Sequence, residues 1–214
     1  VDLSKLTYEK EYKKDKGEIS LFDDEKNRLQ KTVSHLLSSY YSCSDHDRKV
    51  KLQQEISDTI NKQLEAQAYN PSILAKLKEI NLAENNKFFL WHTWFSDVFN
   101  RDDREGFDIV IGNPPYIGEK GHKEIFQPVK SDIHLGQYYL GKMDYFYFFF
   151  HLAFNMLSPH GVATFITTNY YPTALGARRL RADIKDRMSI KTLFNLGELR
   201  LFENAPGQHN MISS

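Results

Sequence analysis

FDIVIGNPPYI, residues 107–117, is the stretch on which the reading of this chain turns. Phe107, Ile109, Val110 and Ile111 are aromatic or β-branched, and the run stops at Gly112. That pattern predicts a short buried strand, central in its sheet, delivering a rigid turn at its carboxyl end. The turn is Asn113-Pro114-Pro115-Tyr116. Each proline fixes its own φ and restricts the residue before it. The Asn113 carboxamide, the Pro114 carbonyl and the Tyr116 ring are therefore expected in one arrangement, a polar claw beside an aromatic plate in a surface cleft.

Such a claw suits a flat substrate that carries an NH2 group. The Asn113 side-chain oxygen and the Pro114 carbonyl can each accept one amino hydrogen while Tyr116 stacks on the ring. Two fixed acceptors stabilise the positive charge that builds on nitrogen as it attacks an electrophile. A Pro-Pro turn that merely ends a strand is the plainer use of these residues. Placement straight after a strand, with all four positions filled, favours the functional use.

Asn-Pro-Pro-Tyr after a hydrophobic strand resembles the catalytic motif of S-adenosylmethionine-dependent amino methyltransferases. The longer context resembles the adenine-N6 DNA methyltransferases, above all the methyltransferase part of type IIG restriction-modification enzymes. The resemblance covers roughly residues 88 to 212. It implies an α/β fold, a partial Rossmann-like methyltransferase domain over residues 88–214, with an N-terminal helical hairpin insertion over residues 1–87. It also implies catalytic roles for Asn113, Pro114 and Tyr116. Phe202, in the Phe-x-x-Ala pattern ending at Ala205, matches a second aromatic contact to the target base, expected across the cleft from Tyr116. Asp97, which precedes Asn113 by 16 positions, matches the acidic residue that accepts a hydrogen bond from the cofactor's adenine. A cap or turn aspartate is the other reading of Asp97.

Composition bounds the partners. The 214 residues carry 28 basic and 28 acidic side chains, so bulk charge gives a nucleic-acid partner no support, and contact with DNA must rest on local clusters. The single cysteine, Cys43, excludes an internal disulfide, and no Cys/His grouping has metal-finger spacing. The longest aromatic run, Tyr145 to Phe150, is far too short to span a membrane. These features point to the cytoplasm, with no metal. The length suits one α/β core plus an appendage. The chain reads as a fragment, beginning at Val1 and ending at Ser214 within a strand-like pattern.

Residues 1–25 are Lys-rich and poor in apolar side chains, and read as loosely ordered. From Asp24, Leu29, Val33, Leu36, Leu37 and Tyr40 share one helical face. After a polar break at Ser42 to Asp47, Leu52, Ile56, Ile60 and Leu64 share another. Two amphipathic helices and a short polar loop make an αα-hairpin, a packed insertion in preference to a coiled-coil arm. A short helix is expected from Ser72 to Ile80, then an aromatic segment from Phe88 to Phe99.

After the claw, residues 118–142 form a polar, Gly-punctuated segment bearing Lys120, His122, Lys123, Lys130, His134 and Lys142. It reads either as a loop that closes over a polyanion or as a surface insertion. Met143 to Leu157 predicts a buried helix ended by Pro159-His160-Gly161, and Val162 to Thr167 a buried strand. Ala174 to Met188 predicts a basic helix; six basic residues face two acidic ones from Arg178 to Lys191. A solvated face explains that helix somewhat better than phosphate contact. Strands at Ile190 to Leu196 and His209 to Ile212 complete a mostly parallel sheet.

The resemblance implies methyl transfer from S-adenosylmethionine to an adenine flipped out of double-stranded DNA, where aromatic faces replace the lost stacking. Nuclease and target-recognition domains of the same parent chain are further expected partners. One departure is plain. The glycine-rich loop that holds the cofactor's methionine end lies before the claw in that family, yet Gly17 is the only glycine from Val1 to Leu90. The cofactor site is thus expected to be incomplete here and the isolated piece inactive. Protein-glutamine or ribosomal-RNA amino methylation is the rival that keeps the chemistry; a helical interaction module built on residues 1–80 is the rival that drops it.

Overall fold

The computed structural model describes residues 21–66, 75, 91–99, 101, 103–132, 134–199 and 209–214. Packing divides the chain into two compact units, Val1–Arg101 and Asp102–Ser214. The sequence reading draws its boundary at residue 87, ahead of the segment Trp91–Phe99, which packs on the first helix of the hairpin.

In the first unit α1 (Leu21–Ser42) and α2 (His46–Ala66) pack against each other as an αα-hairpin. Val33, Leu37, Leu52, Ile56 and Ile60 are buried, the faces read from the 3.6-residue spacing. Each such side chain contributes about 1.5–3 kcal/mol when fully buried. Polar side chains tie both ends of the short loop. The Asp45 carboxylate accepts the Arg48 N–H at 2.7 Å, filling one of α2's orphan donors. Ser42 donates its hydroxyl to the Ser38 carbonyl at the end of α1. Two single-turn helices, α3 (Trp91–Trp94) and α4 (Ser96–Phe99), follow, with Phe99 buried and Trp91 stacked near Phe95. The expected Ser72–Ile80 helix, apart from Ala75, lies outside the described residues.

The second unit is α/β. Its sheet holds β1 (Phe107–Gly112), β2 (Leu157–Thr168), β3 (Leu193–Asn195) and β4 (Asn210–Ser213) in the order β1-β2-β4-β3. β1 and β2 pair in parallel, whereas β4 is antiparallel to both β2 and β3. The expected mostly parallel sheet is therefore a mixed one. A parallel pair needs a crossover, which α6 (Phe146–Met156) supplies between β1 and β2; β3 and β4 pair antiparallel, which requires none.

β1 is an edge strand among the described residues, not the central one, and it is not buried on both faces. Val110 and Ala163 face the core with Phe165 and Met211, under α6 and α7 (Arg178–Arg187). Ile109 and Ile111, at 71% and 78% exposed, lie on the other face with Val162 and Phe194, at 41% and 58%. Alternation along a strand sends neighbouring side chains to opposite faces, and no described element of this unit covers that second face.

Three further segments differ from the sequence reading. The helix before β2 ends at Met156, and Pro159-His160-Gly161 lies within β2, where the pairing slips between Phe107↔Leu157 and Ile109↔Val162. Pro159 has no N–H to give the ladder, so this stretch bulges. Residues 118–142 are neither an open lid nor an unpacked insertion. They contain α5 (Lys123–Ser131), whose Phe126 and Val129 enter the core, and a 3-10 turn at Gly136–Tyr138. The basic helix opens with a 3-10 turn at Leu175–Ala177, where Gly176 lies so close to the Lys142 carbonyl that a Cβ would stand 2.1 Å from it.

Candidate active site

The claw begins where β1 stops. Gly112 pairs with Phe165, and a Cβ at this position would meet the Phe165 ring at 3.0 Å, so glycine lets the strand run close over that ring into the turn. Beyond it Asn113 and Pro115 are exposed, Pro114 is buried, and Tyr116 is half-buried. The Tyr116 ring stands edge-on to Phe146, the first residue of α6, with centroids 6.1 Å apart. Its hydroxyl is within hydrogen-bond distance of two oxygens, Asn113 Oδ1 at 2.6 Å and the Ile166 carbonyl of β2 at 2.9 Å.

The far end of the turn is tied to the start of α6. Tyr145 donates its N–H to the Ile117 carbonyl at 2.8 Å, Glu119 donates to the Met143 carbonyl at 2.9 Å, and Gly118 forms an antiparallel bridge with Asp144. Asp144 is the residue that sequence reasoning missed. Burial raises its pKa, while the N–H groups of Phe146, Ile117 and Tyr145 pull it back by stabilising the charged form. Its Oδ1 is buried without a hydrogen-bond partner. Burial likewise raises the Tyr116 phenol, and the Asp144 charge adds to the rise. Tyr147 is pushed to about 12 by burial and by Asp144. The available signal was a lone carboxylate at the head of a mostly apolar run, Met143 to Leu157.

The structure thus brings Asn113, Pro114 and Tyr116 together in one turn at the carboxyl end of β1, with Asp144 beneath it. Asp97 is exposed on α4 of the first unit, and Phe202 lies outside the described residues. Among the described residues no His/Cys/Asp/Glu cluster could hold a metal ion. A cavity of about 640 Å³ opens at the other end of the sheet, lined by Leu157, Val162, Arg187, Lys191 and Leu193, and does not include the claw.

Much of the basic helix is committed internally. Arg179 donates to the carbonyls of Gln137 and Tyr139, strapping the 3-10 turn to α7. Arg181 donates to the Tyr171 and Ala174 carbonyls at 2.8 and 2.6 Å. Arg187 holds Asp183 through two bonds at 2.6 and 2.7 Å and Asn155 at 2.8 Å. Asp183 in turn lies 2.6 Å from Nδ1 of His151, which is 0% exposed and stacked on Tyr138 with centroids 3.6 Å apart. Neither reading of that helix, phosphate contact or solvated face, anticipated this clamp between α6 and α7.

A strand ending in a rigid Asn-Pro-Pro-Tyr turn, with helices packed on the sheet behind it, is consistent with part of an α/β methyltransferase fold. Comparison with known proteins carries this to a family: residues 20–202 match the Eco57I restriction-modification methylases, and the chain belongs to that family. It is similar to the type II methyltransferases M.HincII and M.HindII of Haemophilus influenzae, each 28% identical over 101 residues, 47% of this chain. The aligned stretch spans 20% of those relatives' own length.

Proposed function

We propose that the methylase carrying these residues transfers a methyl group from S-adenosylmethionine to the N6 amino group of adenine in double-stranded DNA. The observation that carries the reading is the Asn113–Tyr116 turn: an exposed carboxamide and a half-buried ring held together at a strand's carboxyl end, in a chain of a restriction-modification methylase family. The amino group inside a duplex is out of reach, so the target base is flipped into the site. Tyr116 then takes over stacking, about 1–3 kcal/mol per base. Asn113 Oδ1 and the Pro114 carbonyl accept the two amino hydrogens, aim the nitrogen lone pair and stabilise the charge that develops on nitrogen. Phe202 is proposed as the second aromatic contact.

S-adenosylmethionine supplies the electrophilic methyl group when bound. The exposed Asp97 carboxylate suits one end of it, accepting the amino hydrogens of its adenine. With Gly17 the only glycine before Trp91, residues 1–90 offer no glycine-rich cradle for the methionine end. That part of the site is proposed to come from elsewhere in the enzyme, together with target-recognition and nuclease segments of a type IIG architecture acting on cytoplasmic DNA.

The test is transfer of labelled methyl to duplex DNA, with product bases identified. Asn113→Ala is expected to lower turnover about 100–1,000-fold, since one pre-organised hydrogen-bonding group is lost, while cofactor affinity changes little. Labelled cytosine, glutamine or ribosomal RNA in place of N6-methyladenine, or undiminished turnover by the Asn113→Ala enzyme, overturns the reading.

A further inference from the structure

The claw contains a proton-counting problem. Tyr116 Oη lies between two oxygens, Asn113 Oδ1 at 2.6 Å and the Ile166 carbonyl at 2.9 Å, and a phenol has one hydrogen to donate. A carbonyl can only accept. Donation towards Asn113 would leave the Ile166 carbonyl facing a phenol lone pair, whereas donation towards Ile166 requires the Asn113 atom beside Oη to be a donor.

The Ile166 carbonyl has few other partners. Asn169 donates its N–H to the His209 carbonyl at 2.9 Å, and the β2–β4 register continues through Thr168↔Asn210, Thr167↔Met211 and Ile166↔Ile212. Hydrogen-bonded pairs alternate along an antiparallel ladder, so Thr167 and Phe165 bond to β4 while the polar groups of Ile166 turn towards β1. There the β1 pairing ends at Gly112↔Phe165, and Pro114 follows Asn113 with no N–H to offer. The phenol stands where a ladder donor is missing.

We propose that the Tyr116 hydroxyl is a positioning group that sets the polarity of the Asn113 carboxamide through a relay. Resting on the amino-methylation reading above, the relay runs from Asn113 Nδ2–H to Tyr116 Oη, and from Tyr116 Oη–H to the Ile166 carbonyl. A half-turn of the carboxamide places nitrogen against the phenol and satisfies every group. Asn113 Oδ1 then points outward with both lone pairs available to an incoming amino group. The opposite orientation would spend one of them on the phenol and present an NH2 to an NH2. The tyrosine thus does two jobs: its ring stacks on the base, and its hydroxyl makes the asparagine an acceptor.

Tyr116→Phe separates the two, because the ring remains and the relay is lost. In the intact enzyme the variant is expected to lose about 5–10-fold in kcat with KM for DNA unchanged. In 15N-labelled wild-type enzyme without substrate, one Asn113 side-chain amide proton is expected downfield and slow to exchange, and that signature should vanish in Tyr116→Phe. Asn113→Asp has no hydrogen to give, so adding Tyr116→Phe to it should cost less than in the wild type. A phenylalanine enzyme with unchanged kcat, or a wild-type Asn113 amide that exchanges as fast as a solvent-exposed asparagine, overturns the relay. A merely structural hydroxyl would lower the melting temperature and leave both kcat and the amide signals in place. Absence of adenine methylation by the wild type defeats the functional reading alone, since the amide signals report the relay without turnover.

Discussion

Gly112→Ala tests whether the strand end sets the claw. The added Cβ would lie 3.0 Å from Cε1 and 3.3 Å from Cδ1 of Phe165. Contacts this short require the ring to give way by a few tenths of an ångström. Phe165 cannot do so easily: it is buried and meets the Phe150 ring edge-on at 4.8 Å, inside the cluster that includes Tyr171 and Met211. Two effects compete. Replacing glycine removes unfolded-state freedom and stabilises by about 0.4–1 kcal/mol, whereas overpacking a filled core costs about 1–3 kcal/mol. The second wins because the ring is held from behind, and the net loss of about 1–2 kcal/mol corresponds to a fall of several degrees in melting temperature. Relief by movement of β1 instead of the ring shifts Asn113, one residue away, and should lower turnover, by less than the roughly 100-fold that a misplacement of about 1 Å costs. Calorimetry and a methyl-transfer assay on the same preparation measure both. A variant as stable and as active as wild type would show that Phe165 does not support the turn.

Asp144→Ala should loosen the turn by removing the carboxylate that faces the Ile117 and Phe146 N–H groups, at about 1–3 kcal/mol for donors left unpaired. It should also bring the Tyr116 pKa down, since the Asp144 charge adds to its rise; 13C-tyrosine titration reads the shift, and an unmoved Tyr116 resonance refutes the contact. The His151–Asp183 pair predicts two pH windows. Burial depresses the His151 pKa against the opposing pull of Asp183, so below about 6.5 the unfolded chain binds the proton more readily and stability falls as pH drops. Burial alone would raise Asp183, but Arg187 and His151 outweigh it and hold its pKa low, so its contribution is present above the ordinary aspartate range and is lost below about pH 4. Denaturant midpoints from pH 4 to 8 should show the first loss in wild type and not in His151→Gln; an equal slope in both would assign it elsewhere.

What the sequence determined by itself lies in contiguous or periodic constraint. The turn at Asn113–Tyr116 was legible because two prolines and the residues before them have little conformational choice wherever the chain goes. The hairpin was legible because Val33, Leu37, Ile56 and Ile60 recur at helical spacing, and a helix so patterned must bury that face. The family resemblance rested on the same local signature, and the family match agrees with its coarser part, a restriction-modification methylase. The tertiary structure decided what depends on distant partners. Among the described residues β1 stands at the edge of the sheet because its neighbours are set by pairing across the sheet, which nothing within FDIVIG encodes. Residues 118–142 packed because Phe126 and Val129 found the aromatic face of α6, a face invisible from the polar composition around them. Arg179 turned inward to carbonyls some 40 residues away, and the Tyr116 hydroxyl met a backbone oxygen at a separation of 50. Composition can name a donor or an acceptor; its partner is chosen by the register and packing that bring remote segments within 3 Å.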